Sequence, residues 1–240
     1  MNEIIDNNFI DEALNRDVAR KFIARVYTYM FFGLFVTGAI AYVYGNIGFV
    51  SEYLWDLETG KQKPLLLVVT FAPVGIALAF NFLMARLSFV MLFALYALYS
   101  ILLGFALTSI FIIYSGASIG SIFGVTAITF GIMAIAGYTT KADLTKMGSI
   151  LGMIFVGMFV TSIVNFFLGS DLIGYILSML GVVVFTGLTA YHMQRLKELA
   201  YNSQLSEDQR NKLALDGGFT LYVLFINLFL SLLRLFGSRD

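Results

Sequence analysis

Apolar residues come in runs of about 20 along this chain, the length a helix needs to cross a hydrocarbon core, and short polar pieces separate them. Seven runs are legible, at about 23–44, 64–84, 88–113, 117–138, 147–168, 172–193 and 218–236. None alternates as a half-buried strand does. Lipid offers no partner to a backbone amide, so each run is predicted to be a helix that satisfies its own backbone. The punctuation fits this division. Pro64 opens the second run, GYTTKADLTKMG parts the fourth from the fifth, and DGG at 216–218 precedes the last. NSQLSEDQRNK (202–212) is predicted to be a polar, helix-breaking loop and a place for a partner to dock. The predicted fold is an all-α membrane protein, a seven-transmembrane-helix bundle. Residues 1–22 are expected to form a cytoplasmic tail and 23–237 the transmembrane domain.

The last run, within LYVLFINLFLSLLRLFG (221–237), carries Asn227, Ser231 and Arg234. Together with Thr220 and Leu224 they fall at i, i+4, i+7, i+11 and i+14, along one helix face. An unpaired amide in lipid costs several kcal/mol. That face is therefore predicted to point into the bundle, with the last helix central. Two uses of Asn227 remain open: an interhelical hydrogen bond worth about 0.6–2 kcal/mol, or the lining of a polar cavity. Arg234 is expected to snorkel to the headgroups.

Composition sharpens the picture. The 240 residues are 59% hydrophobic and 12% charged, whereas a soluble domain is about a quarter charged. Lys+Arg and Asp+Glu are both 15, and no basic stripe marks a nucleic-acid partner. Without cysteine there is no disulfide, thiol nucleophile or thiolate metal site. The first 21 residues hold Glu3, Asp6, Asp11, Glu12, Arg16, Asp17, Arg20 and Lys21, unlike a cleavable signal peptide. Placing the N-terminus inside puts Arg16, Arg20, Lys21, Arg25, Arg86, Lys141, Lys146, Arg195, Lys197, Arg210 and Lys212 on the cytoplasmic side. Only Lys61, Lys63, Arg234 and Arg239 are then outside. The positive-inside rule therefore predicts N-in/C-out.

Enzyme chemistry fails on inventory. There is one histidine, no Gly-x-Ser-Gly loop, and no acid expected within a span, since Asp143, Asp171 and Asp216 are read as loop edges. No catalytic, metal or cofactor residues are predicted. Gly120, Gly124, Gly148, Gly152, Gly157, Gly174, Gly181 and Gly187 are expected to pack helices closely inside the bundle. Glu52, Asp56 and Glu58 form an acidic cluster that either concentrates cations or is a solvated loop.

The closing LYVLFINLFLSLLRLFG resembles the C-terminal signature of the Bax inhibitor-1, or transmembrane Bax-inhibitor-motif, family, a Leu-Tyr-x-Asp-Phe-Ile-Asn-Leu-Phe run. GYTTKADLTKMGSIL (137–151) resembles it as well, and GLTAYHMQRLK (187–197) is similar to the family's Tyr-Asp-Thr-Gln-x-x-Lys segment. The resemblance, closest to bacterial YccA-like members, covers the chain in span count and order. It implies a seven-helix bundle with the last helix central and a slow calcium-permeable leak sensitive to protons. It also implies roles in stress or cell-death control and, in bacteria, interplay with membrane-protein quality control. The family's proton latch is an aspartate on the sixth helix, another on the seventh and an arginine at the end of the second. Those positions here are His192, Leu224 and Arg86, so both carboxylates are missing. Calcium prefers several hard oxygen ligands, and a calcium site of that type is not expected.

His192, Arg86 and Leu224 all fall at the cytoplasmic ends of their spans in the predicted topology. One expectation is that protonation of His192 in acid repels Arg86 and loosens the cytoplasmic mouth; the other is a headgroup-level imidazole. The candidate gate or pore residues are thus His192, Arg86, Leu224, Asn227 and Ser231. Two functions stand: a slow cation leak with altered pH gating, or a non-conducting regulator of another membrane complex. The expected partners are the lipid bilayer, calcium ions and protons, and a membrane protein. A bacterial inner membrane is the expected location.

Overall fold

The computed structural model describes residues 2–45, 47–56, 59, 61–202 and 204–238, with the backbone alone for 2–15, 47 and 62. Glu58, Arg239 and the side chains of Glu3, Asp6, Asp11 and Glu12 lie outside the described residues. Among the described residues, seven helices are long and apolar enough to cross a membrane.

Helix α1 (Asn2–Tyr44) runs unbroken through the expected boundary at residue 22. Ala19, Phe22, Val26 and Met30, spaced about one turn apart, are all buried, so Ala19 and Phe22 already pack in the core while Arg20 and Lys21 are exposed. A short connection follows: α2 (Ile47–Phe49), a wide turn of helix at Val50–Leu54, and a two-stranded hairpin, β1 (Trp55–Asp56) with β2 (Lys61–Gln62). Here the Asp56 carboxylate accepts from the Thr59 amide and hydroxyl, and Lys63 Nζ donates to the carbonyls of Ser51 and Glu52. Asp56 therefore shapes its own loop, while Glu52 is exposed.

Proline opens α3 (Pro64–Leu83), where its missing N–H costs nothing. Serine hydroxyls cap the next starts: Ser88 for α4 (Phe89–Ala106), Ser115 for α6 (Gly116–Thr139) and Ser170 for α8 (Asp171–Ala200). The short α5 (Ile110–Ile113) extends the third span. Gly169, at φ +65°, ends α7 (Thr145–Leu168) in the left-handed conformation that favours glycine.

The last two spans run longer than predicted. α8 continues to Ala200, and α9 spans Glu207–Phe236, so most of the expected 202–212 loop is helix. The reason is local. Ser206 accepts from the Gln209 amide while the Gln209 side chain accepts from the Ser206 amide, a reciprocal cap that starts α9 eleven residues early. The buried Arg210 donates to the carbonyls of Ala200 and Asn202, closing the end of α8.

DGG consequently does not stop a helix. A Cβ on Gly218 would lie 2.6 Å from Tyr29 Cβ and 2.8 Å from Val26 O, so this glycine is where α9 crosses α1. Asp216 lies inside α9, nearly three turns beyond its cap, and is partly buried. This corrects its expected place at a loop edge.

The glycines divide into two groups. Gly148 rests on Tyr191, Gly174 on Arg234, Gly181 on Ser231 and Gly187 on Leu151, the close packing predicted for them. Gly120, Gly124, Gly152 and Gly157 have open space where a side chain would go, and their expected packing inside the bundle is not present.

α9 is the most buried of the spans. It packs against α8, α1, α6 and α4, and carries Leu215, Leu221, Tyr222, Leu228 and Leu233 fully buried. Beside Tyr222, the Thr37 hydroxyl donates to the Ser100 carbonyl at 2.9 Å and lies 2.6 Å from the Tyr222 hydroxyl, which donates to it. One hydrogen-bonded chain thus joins α1, α4 and α9.

Candidate functional site

Two places in the described residues bear on the predicted site. The first is the end of the bundle that holds the 84–88, 139–145 and 200–207 connections. His192 lies near the end of α8, its ring 5.1 Å from that of Tyr191 in an edge-on contact. The charge that acts on His192 is Arg195, one turn further along α8, and the same guanidinium acts on Asp216 of α9. Arg86 is exposed in the turn after α3. The expected approach of Arg86 to His192 stays a proposal, and Arg195 is a second cation beside the imidazole. Leu224 is buried among apolar side chains about two turns beyond Asp216 along α9.

The same end is laced by polar clamps. Arg25 of α1 donates to Glu207 and Asn211 of α9. The Gln194 side chain accepts from the Leu144 amide at 2.9 Å and donates to the Ala142 carbonyl at 2.8 Å, holding the α6–α7 connection against α8. In that connection Asp143 accepts from the hydroxyl and amide of Thr145, which hold its carboxyl below the ordinary carboxylate range.

The second place lies between α7, α8 and α9 at the opposite end. A cavity of about 650 Å³ opens there, lined in part by Asn165, Ser178, Asn227, Ser231, Asp171 and Arg234. Ser178 and Ser231 are both more than nine-tenths buried. Each deep donor is turned back on its own helix. Ser178 Oγ donates to the Gly174 carbonyl, Asn227 Nδ2 to Val223 and Ser231 Oγ to Asn227, all at 2.8 Å. Asn227 therefore makes no interhelical hydrogen bond to a described residue, and it lines the cavity. Above them Arg234 lies over Gly174 and pairs with Asp171 at 3.7 Å.

Of the five predicted site residues, Asn227 and Ser231 share this cavity, while His192, Arg86 and Leu224 do not line it. Sequence reasoning missed Arg195, Asp216, Ser178 and the Asp171–Arg234 pair. The signal for Asp216 was present in SEDQ (206–209), a serine followed three residues later by glutamine, which starts the helix before it. Nothing in the sequence pairs Asp171 with Arg234, some sixty residues apart.

The sequence model of the family described as "Inhibitor of apoptosis-promoting Bax1" matches residues 19–240. The chain belongs to the Bax inhibitor-1 family. It is 39% identical over 219 residues to the inner membrane protein YbhL of Escherichia coli K12, covering 91% of this chain and 92% of that protein. It is 35% identical over 233 residues to the uncharacterized protein RP147 of Rickettsia prowazekii, covering 97% and 94%. A protein of Borreliella burgdorferi is 37% identical over 222 residues, covering 92% and 94%. This Bax inhibitor-1 family member is a multi-pass integral membrane protein, and none of these relatives carries the name of an enzyme. Two of the stretches that carry the family resemblance, 137–151 and 187–197, meet in space through the Gln194 clamp.

Proposed function

We propose that the protein is a slow, calcium-permeable cation leak of the bacterial inner membrane, with no enzymatic activity. Its last helix is central and its orientation is N-in/C-out, so residues 1–22 and the His192 end face the cytoplasm. The observation that carries this reading is the placement of Asn227 and Ser231. In a helix that could be wholly apolar, both line a cavity between α7, α8 and α9 that also holds Asn165, Ser178, Asp171 and Arg234. The inner-membrane relative YbhL supports the location, and the excess of Lys and Arg at the His192 end supports the orientation.

The pH gate is altered in this reading. His192 and Leu224 replace the two latch carboxylates. Asp216, further along α9 from the same end, shares Arg195 with His192. Purified protein in liposomes, with a calcium dye inside and a pH series outside, tests this. Slow flux above protein-free vesicles is expected, and an N227L variant should reduce it. Negligible flux at every pH would sink the leak.

A specific observation favours the second reading, a non-conducting regulator of another membrane complex. Gly120, Gly124, Gly152 and Gly157 offer small-residue faces on α6 and α7 with no described residue within 4 Å of where a Cβ would sit, and such faces suit a partner helix. Co-purification of a membrane-protein partner together with negligible flux would decide for it.

A further inference from the structure

We propose that the cavity between α7, α8 and α9 is a hydrated vestibule that accepts small cations, roofed by the Arg234–Asp171 pair. Its size and lining argue for water. At about 30 Å³ each, on the order of 20 waters fit in the 650 Å³, and the walls supply the several polar partners that ordered water needs.

The chemistry of the floor selects the guest. A serine hydroxyl has one donor and two lone pairs, and an asparagine amide can donate and accept. Ser178, Ser231 and the Asn227 NH₂ group all direct donors at carbonyls of their own helices. What they turn to the cavity is therefore mostly acceptor: two hydroxyl oxygens and the Asn227 Oδ1, which receives no hydrogen bond from a described residue, against the one remaining N–H of the Asn227 amide. Such a floor is matched by a group that brings positive charge or donors, namely a hydrated metal cation or an ammonium ion.

Arg234 sits two turns outward from Asn227, about 10 Å along the helix axis. It reaches across to α8, lies on the bare backbone of Gly174 and meets Asp171 at only 3.7 Å. Asp171 is almost wholly exposed, so the pair is a loose, solvated one. A guanidinium there opposes entry of another cation, and its carboxylate partner offsets that opposition only in part, because it lies further into solvent. Hydration of the floor stands alone; passage of cations through the vestibule rests on the leak proposed above.

The protein contains no cysteine, so single cysteines report accessibility in the full chain without background. N227C and S231C would be treated with a membrane-impermeant, positively charged methanethiosulfonate from the face bearing Lys61. K61C serves as the exposed standard. V183C is the lipid-facing one, since Val183 is 64% exposed on α8. Labelling of N227C and S231C well above V183C is expected. Adding R234Q should raise the rate at N227C about tenfold, the effect of removing a unit charge 10 Å away at an effective dielectric constant of 20. S178C, on the opposite wall, gives an independent reading if an α9 variant folds poorly. Labelling of all three no faster than V183C overturns the vestibule, meaning acyl chains or protein fill it. A rate at N227C unchanged by R234Q overturns the roof. Labelling with the R234Q increase, but with no calcium or sodium flux in liposomes, keeps the vestibule and removes the leak.

Discussion

The crossing of α9 over α1 at Gly218 makes a quantitative prediction. In G218A the new methyl carbon would lie 2.6 Å from Tyr29 Cβ, 2.8 Å from the Val26 carbonyl oxygen and 3.1 Å from the Met30 amide nitrogen. Two of those atoms are backbone and the third is fixed to it, so relief requires the two helices to part. Overpacking of this kind costs about 1–3 kcal/mol, and the upper half of that range applies because no flexible side chain can yield. G217A meets chiefly the tip of Leu196, with Cδ2 at 2.5 Å, and that side chain can rotate away; a cost of about 1 kcal/mol or less follows. G124A meets nothing within 4 Å and should gain about 0.5–1 kcal/mol from the reduced entropy of the unfolded chain. Thermal unfolding of purified protein in one detergent measures all three. With about 2–4 °C per kcal/mol for a chain of this size, G218A should unfold some 5–10 °C below wild type, G217A only slightly below, and G124A at or above it. A G218A protein as stable as wild type, or equal losses in all three, would falsify the close crossing and the continuity of α9 through DGG.

Four further outcomes are expected. Replacing Gln194 with Ala removes two hydrogen bonds to the 142–144 backbone, about 1–2 kcal/mol together; trypsin added to inside-out vesicles should then cut at Lys141 or Lys146 faster than in wild type, and an unchanged rate removes the clamp. Asp143 has a carboxyl depressed by Thr145, so its contribution is complete above the ordinary carboxylate pKa, near 4, and is lost only as pH falls further; the same digestion with an acid-active protease should show that loop loosening only below about pH 4. A periplasm-active phosphatase fused after Ser238 should be active and a cytoplasm-dependent fluorescent fusion dark, and the reverse pattern overturns N-in/C-out. H192A should alter the pH profile of liposome flux if the imidazole gates it; an identical profile leaves His192 as a headgroup-level side chain.

Span number and helical class could be read from the sequence because hydrophobic length is a local property: each run of apolar residues states its own fate in lipid. The face of Asn227 and Ser231 was legible for a related reason, since helical periodicity puts residues 227 and 231 on one side whatever surrounds them. Where reading failed, the deciding term was tertiary. Two adjacent glycines after an aspartate look like a stop, yet Gly218 is glycine because α1 passes against it, and the capping serine that settles the matter lies ten residues earlier. The same error carried Asp216 out of the helix. Arg195, one turn from His192 on the same helix, was overlooked as a charge acting on it, a proximity that spacing alone could have supplied. The open glycines of α6 and α7 differ from the packed ones in neighbours and not in spacing, so no pattern in the chain separates them.

The two ends of the bundle are held together differently, and this bears on which of them can open. At the His192 end, Arg25, Gln194 and Arg210 each bridge separate elements with two side-chain hydrogen bonds or more, and Arg210 is buried. At the other end the residues after α9 are tied to the start of α6, with the Ser115 amide donating to the Ser238 carbonyl and the Ser238 amide to Ser118 Oγ. The wall formed by α7 has no comparable tie to α9; among the described residues its contacts are chiefly with α8, with aromatic contacts from Phe166 and Phe167 to Phe71 of α3. Buried hydrogen bonds to a charged group are worth about 1.5–3 kcal/mol, while an exposed ion pair such as Arg234–Asp171 contributes at most about 1 kcal/mol. Parting α7 from α9 therefore disturbs only apolar contacts among the described residues, and the Arg234–Asp171 pair that joins α8 to α9 at this end is weak, whereas opening the His192 end breaks several bonds between helices. For the leak proposed above, this difference predicts that the vestibule side exchanges more readily with solvent and that the slow step lies at the clamped end beside His192 and Asp216.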